Sequence, residues 1–177
     1  MAAVMRLGLD EIGVTELMAV TEHSRALATA AAGLLLESLD GERSLVSPVT
    51  PPVDDPGVKK LLDEIAVAVP PSMGRAEIPL LWRVLARNPH YLASTWRKEQ
   101  VVMRAAAFSE RDKRRTALGV SMAMRARYMI EYHTAILRAA GDGDDDLLEI
   151  LGVVDHYTTL NTLSEGMQIE SDIKPPA

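Results

Sequence analysis

Apolar residues recur at three- and four-residue steps along most of the chain and nowhere alternate for a useful length. The pattern predicts an all-α protein of seven or eight helices. Its densest stripe lies within residues 121–141, where Met122, Ala126, Met129, Ile130, His133, Ile136 and Leu137 share one helical face. Arg125, Arg127, Glu131 and Arg138 lie mostly off that face, so His133 is the one titratable side chain on it. A break near residues 124–126 would separate this helix from the one before it.

The other elements follow from capping chemistry. Residues 1–13 read as a lead-in, and a first helix is expected from about Thr15, with Leu17, Val20, Leu27, Ala31, Leu34 and Leu35 on its apolar side and Gly41 as its stop. Prolines between 44 and 57 break the period and mark an extended linker. The first helix therefore reads as an extension on a tether, packed within the chain or exchanged between protomers. Asp55-Pro56 and Asn88-Pro89 each supply an N-cap and a first helical residue. The first opens a helix that stops before Pro70. The second begins a helix covering 90–107, directly after a short helix over 78–87. Ser109 to Asp112 is a near capping box opening a helix over 111–124. Gly141 to Gly143 end the central helix, Asp144 to Asp146 suit the N-terminus of the next, and Gly152 is a candidate bend in it. The divisions expected are an extension over 1–45, a linker over 46–54, a main domain over 55–170 and a tail over 171–177.

Composition narrows the function. A formal charge of −6 argues against nonspecific binding to nucleic acid or anionic membranes. The basic run Arg111, Lys113, Arg114, Arg115 sits amid acidic neighbours and reads as a solvated or intersubunit face. There is no cysteine, hence no disulfide and no thiolate metal site. No H-x-x-x-H, H-E-x-x-H or E-x-x-H spacing occurs, so neither a metal nor a cofactor is expected. No apolar run reaches the ~20 residues needed to span a bilayer, and a cytoplasmic protein is expected.

His133 has two readings at this stage: a core histidine hydrogen-bonded to a neighbour, or a proton carrier in a pocket. Trp82 and Trp96, on consecutive helices, are either pocket walls or core.

The central stretch resembles the alkylhydroperoxidase D and carboxymuconolactone decarboxylase superfamily. In its peroxidases a helix opens with C-x-x-C, and a histidine follows four residues after the second cysteine. Anchored on His133, the two cysteines fall at Ala126 and Met129, the intervening histidine at Tyr128 and an upstream relay glutamate at Arg114. Of those five residues only His133 survives. The family's peroxidase cycle needs an attacking and a resolving thiol, so this chain cannot run it. The helix–Asn-Pro–helix corner over 82–98 is a second point of resemblance. Residues 84–97 and 160–168 also look like group I 2-haloacid dehalogenases, which carry two such units per chain, but no carboxylate here matches that branch's catalytic aspartate.

The resemblance implies a helical bundle with an N-terminal extension, assembling as a dimer, trimer or hexamer. It also implies a thiol-independent protein acting on or binding a small organic acid. In that reading His133, Tyr128, Glu131 and His156 could move protons, and Arg125, Arg97, Trp82, Trp96 and Met129 could hold the acid. The alternatives are a non-catalytic assembly module that kept the fold and lost the site and, more distantly, a dehalogenase-like hydrolase.

Overall fold

The computed structural model describes residues 10–39, 43–70 and 78–169. Among these the chain forms seven α-helices and no strand: α1 (Glu11–Gly33), α2 (Pro56–Ala68), α3 (Leu80–Leu85), α4 (Pro89–Met103), α5 (Glu110–Ala123), α6 (Arg127–Ala139) and α7 (Asp144–Gly166). The expected tail, and the loop after Pro70, lie outside the described residues.

The caps are those the sequence announces. Asp55 Oδ1 accepts from the amides of Gly57 and Val58, Asn88 Oδ1 from Tyr91, and the Ser109 hydroxyl from Asp112. One start was missed. Asp10 accepts from the Gly13 amide at 2.7 Å, so α1 begins at Glu11 rather than near Thr15. It also stops earlier than expected, at Gly33, where Leu35 takes a positive φ of 58° and the Leu36 amide closes back on Ala31 O. The expected stop, Gly41, is not among the described residues.

One further difference and one expected break have local causes. The helix after Asn88-Pro89 ends at Met103 rather than running to residue 107, because Lys113 reaches across to cap its last carbonyls, taking Val102 O at 3.0 Å and Arg104 O at 2.5 Å. Residues 121–141 divide into two helices at Arg125, whose φ of 55° ends α5 while Ala126 N donates to Ser121 O. That break turns the buried face of α6 towards Tyr128 and Tyr132, and leaves Ile130 and Ile136 half-buried. α7 runs without interruption through Gly152.

One core joins α1 to α2–α4 and α6. It holds Leu27 and Ala31 from α1, Ile65, Trp82, Leu92 and Met129. The proline-rich segment is fastened over it. Val49 N donates to Arg83 O, Arg87 Nε donates to Ser47 O, and Val49 and Val53 pack against the core. α5 lies between α1, α6 and α7. At Gly119 a Cβ would stand 3.3 Å from Val154, so the missing side chain lets α7 approach. α7 has no buried residue. No helix among the described residues is long and apolar enough to cross a membrane.

Candidate functional site

Four helices each bring an ionisable side chain into the interior. His23 takes the register of Val20 and Leu27 on α1, and Glu99 that of Trp96 and Met103 on α4. Both are 1% exposed. His133, on the inner face of α6, is fully buried. Arg114 reaches in from α5. His23 Nε2 lies 2.7 Å from Glu99 Oε2, and Arg114 Nη2 lies 2.6 Å from Glu99 Oε1. An ionised carboxylate only accepts, so His23 carries its hydrogen on Nε2.

Burial alone would raise the Glu99 carboxyl, but Arg114 and the His23 contact outweigh it and hold it at about 2. Glu99 is therefore ionised, and the paired charges compensate each other in the interior. His133 is driven down to about 3, first by burial and then by the Arg114 guanidinium, against a smaller opposing pull from Glu99. It is neutral at neutral pH. Neither of its ring nitrogens has a hydrogen-bond partner among the described residues. Its ring meets Tyr132 edge-on, with centroids 5.3 Å apart. The bland sequence reading, a core histidine held by a neighbour's hydrogen bond, thus finds no such bond among these residues.

Beside the cluster lies a cavity of about 330 Å³ between the end of α2 and α4, α5 and α6. Trp96, Arg114, Tyr132, Val69, Ile136 and Leu137 line it, and Glu110 and Arg111 also border it. The Arg114 Nη1 and Trp96 Nε1 atoms are buried without a hydrogen-bond partner among the described residues. Tyr132 Oη accepts from Trp82 Nε1 at 3.3 Å, which leaves its own hydrogen to give. Burial raises the Tyr132 phenol to about 12, so it stays protonated.

Of the residues singled out from sequence, Trp96 stands on the cavity wall, and His133 lies in the buried cluster behind it rather than on the wall. Trp82 packs edge-on to Trp96 at 5.3 Å. Met129 is core, and Tyr128 is buried with its hydroxyl accepting from the Leu81 amide. Burial raises the Tyr128 phenol well above its usual value. Glu131 accepts from the Leu39 amide at 3.0 Å and so fastens the chain after α1. Arg97 and Arg125 are exposed and do not line this cavity, and His156 is exposed on α7 beside Tyr157.

Sequence reasoning did not select Glu99, His23 or Arg114 for the site. Glu99 and His23 carry a signal that could have found them: each is a titratable residue in the register of its helix's apolar stripe. Arg114 was read as part of a solvated or intersubunit basic face. That reading is corrected, because the run's cations are spent within the chain. Lys113 is buried and pairs with Glu16, Arg111 and Arg115 converge on Asp142, and Arg114 serves Glu99. Among the described residues no group of three or more acidic or histidine side chains could hold a metal.

Comparison with known proteins places these observations. The carboxymuconolactone decarboxylase family is matched over residues 89–169, which span α4 to α7 and hold Glu99, Arg114, Tyr132 and His133. Among solved structures, the crystal structure of the alkylhydroperoxidase AhpD core from Rhodospirillum rubrum ATCC 11170 is similar at 27% identity, with a TM-score of 0.65, over 73% of this chain and 94% of that one. No curated protein matches.

Proposed function

From the match to the carboxymuconolactone decarboxylase family over residues 89–169, the likeness to an alkylhydroperoxidase core and the absence of cysteine, we infer that this chain is a member of that superfamily that binds a small organic acid without thiol chemistry. The observation that carries this reading is Arg114. Its guanidinium is already paired with Glu99, borders a cavity and keeps Nη1 unspent. An acid's carboxylate is the complement of such a donor.

Turnover would need a proton carrier, and His133 is the candidate. In the protein as described it is too weak a base for neutral pH. A carboxylate beside Arg114 would oppose the guanidinium's field and raise the imidazole's proton affinity. The acid itself would then prime the base. The second reading, a module that kept the fold and lost the site, is favoured by one observation, that His133 does not line the cavity.

A thermal-shift screen of small carboxylic acids, lactones and haloacids on wild type and His133→Met decides between them. An acid at a hundred times its Kd should stabilise wild type by about 2.7 kcal/mol, a rise of roughly 5–10 °C at ~2–4 °C per kcal/mol. Turnover present in wild type and lost in the variant identifies His133 as the proton carrier. Binding by both proteins without turnover leaves a binder. If no compound shifts wild type, the acid-binding reading fails and the assembly module stands. Hydroperoxide turnover with a dithiol reductant is expected to be absent.

The same reading includes self-association. The apolar residues of α7 lie on several of its sides, as in a helix buried all round, yet Leu148, Tyr157, Leu160 and Leu163 are exposed. A second copy of this chain supplies the missing cover.

A further inference from the structure

We propose that α7 of one copy docks along α1 of another as an antiparallel two-helix seam, with Glu149 set against the partner subunit's Arg25. This rests on the self-association reading above and names the surface that α7 meets.

The first observation is a matching pair of stripes. On α7, Glu149, Val153, His156, Leu160 and Leu163 recur at steps of four, three, four and three residues and so share one face. All five are exposed. Within the chain α7 packs on α5 through a different face, which holds Ile150 and Val154. On α1, Val14, Met18, Thr21 and Arg25 recur at steps of four, three and four, and they line an open groove. Met18 is 65% exposed. The same helix buries Val20, His23 and Leu27 on its other side. Each stripe thus lies off the face that its helix spends on the chain's own core.

The second is register. Two helices interlock when their stripes keep the same alternation of threes and fours. Run antiparallel, these stripes align Arg25 with Glu149, Thr21 with Val153, Met18 with His156 and Val14 with Leu160. Run parallel, the same alternation sets Arg25 against Leu160 or Met167, where its charge meets hydrocarbon. Sliding the antiparallel pair by seven residues along α7 puts Arg25 beside His156 and leaves Glu149 outside the seam.

The third is charge. α7 carries Asp144, Asp145, Asp146, Glu149, Asp155 and Glu165 and no lysine or arginine, so α7 set against a second α7 finds no cation there. Among the described residues neither Arg25 nor Glu149 has an ion-pair partner. Arg115, which shares the groove between α5 and α7 with Glu149, is taken by Asp142 and Asp146. Opposite charges facing across a seam fix its orientation and its partner. Because the seam joins unlike surfaces, each copy gives one and takes one, in a closed dimer or ring.

The test uses the full chain, which has no cysteine, so introduced thiols report contact against no background. Met18→Cys and His156→Cys proteins are mixed and oxidised, and a mixed disulfide is expected in preference to either self-linked pair. In sedimentation equilibrium, Arg25→Glu and Glu149→Arg are each expected to weaken association roughly tenfold or more. The double variant should recover association to about the wild-type level, since the charges face each other again with signs exchanged. If His156→Cys links only to itself, α7 pairs with α7, and the α1 seam is overturned while self-association stands. No mixed disulfide, or no recovery in the double variant, overturns it as well. A monomeric wild type removes this seam and the self-association reading together. Should a charge variant fail to fold, the disulfide result decides alone.

Discussion

His133 and Glu99 are both ionisable and buried, yet they stand on opposite sides of the stability ledger. Glu99 accepts His23's hydrogen and faces Arg114, so removing its charge would leave the arginine unpaired in the interior, at a cost of about 3–5 kcal/mol. His133 gains no such compensation among the described residues, and its two nitrogens remain unsatisfied. His133→Met replaces the imidazole with an apolar side chain of similar size. It is expected to raise stability by about 1–3 kcal/mol in urea unfolding, the cost of an unsatisfied buried group. A loss of stability instead would mean that the imidazole has a structural partner. A residue kept at a cost to stability is what a functional site leads one to expect.

At the scale of elements, α5 organises the site. Its register sends Lys113 to the end of α4, Arg114 to Glu99, and Arg111 and Arg115 to Asp142. α1 contributes His23 from outside the span matched to the family and is fastened through Glu16, which accepts from the Phe108 amide at 3.1 Å. α7 is the element the single chain leaves incomplete. In light scattering, wild type is expected to exceed the 19.3 kDa of one chain, and Leu160→Glu to shift it towards the monomer, because a charge in an apolar interface must be desolvated. A monomeric wild type would rule out the self-association proposed for α7.

For the whole molecule the buried charges set the response to pH. The folded state holds His133 at about 3 against an ordinary 6.5. As pH falls below 6.5 the unfolded chain gains a proton that the folded one does not, and stability drops. Glu99, at about 2 against 4.5, adds a second loss in the same direction from about pH 4.5 down to 2. Each proton corresponds to about 1.4 kcal/mol per pH unit. Melting temperature should therefore decline already between pH 6.5 and 4.5, and His133→Met should remove that upper part while leaving the lower. An unchanged upper slope in the variant would show that His133 is not the group responsible.

The sequence by itself determined that the chain is helical and where three of the helices start, because hydrophobic period and N-cap chemistry are local. Asp55-Pro56, Asn88-Pro89 and Ser109 each start a helix in the protein as they do on paper. It also carried the resemblance to the family whose model matches residues 89–169, and it excluded the thiol cycle by having no thiol. Less local features were harder to read. The end of α4 depends on Lys113 of another helix, and the course of α1 depends on the partners His23 and Glu16 find on α4, α5 and the loop between them. The site lay furthest from view. His23 lies 76 residues before Glu99 and Arg114 stands on the next helix, and a charge in an apolar register looks the same in sequence whether or not a counter-charge meets it. Only packing α1, α4, α5 and α6 together decides that, because the energy of a buried charge depends on what stands within a few ångströms of it.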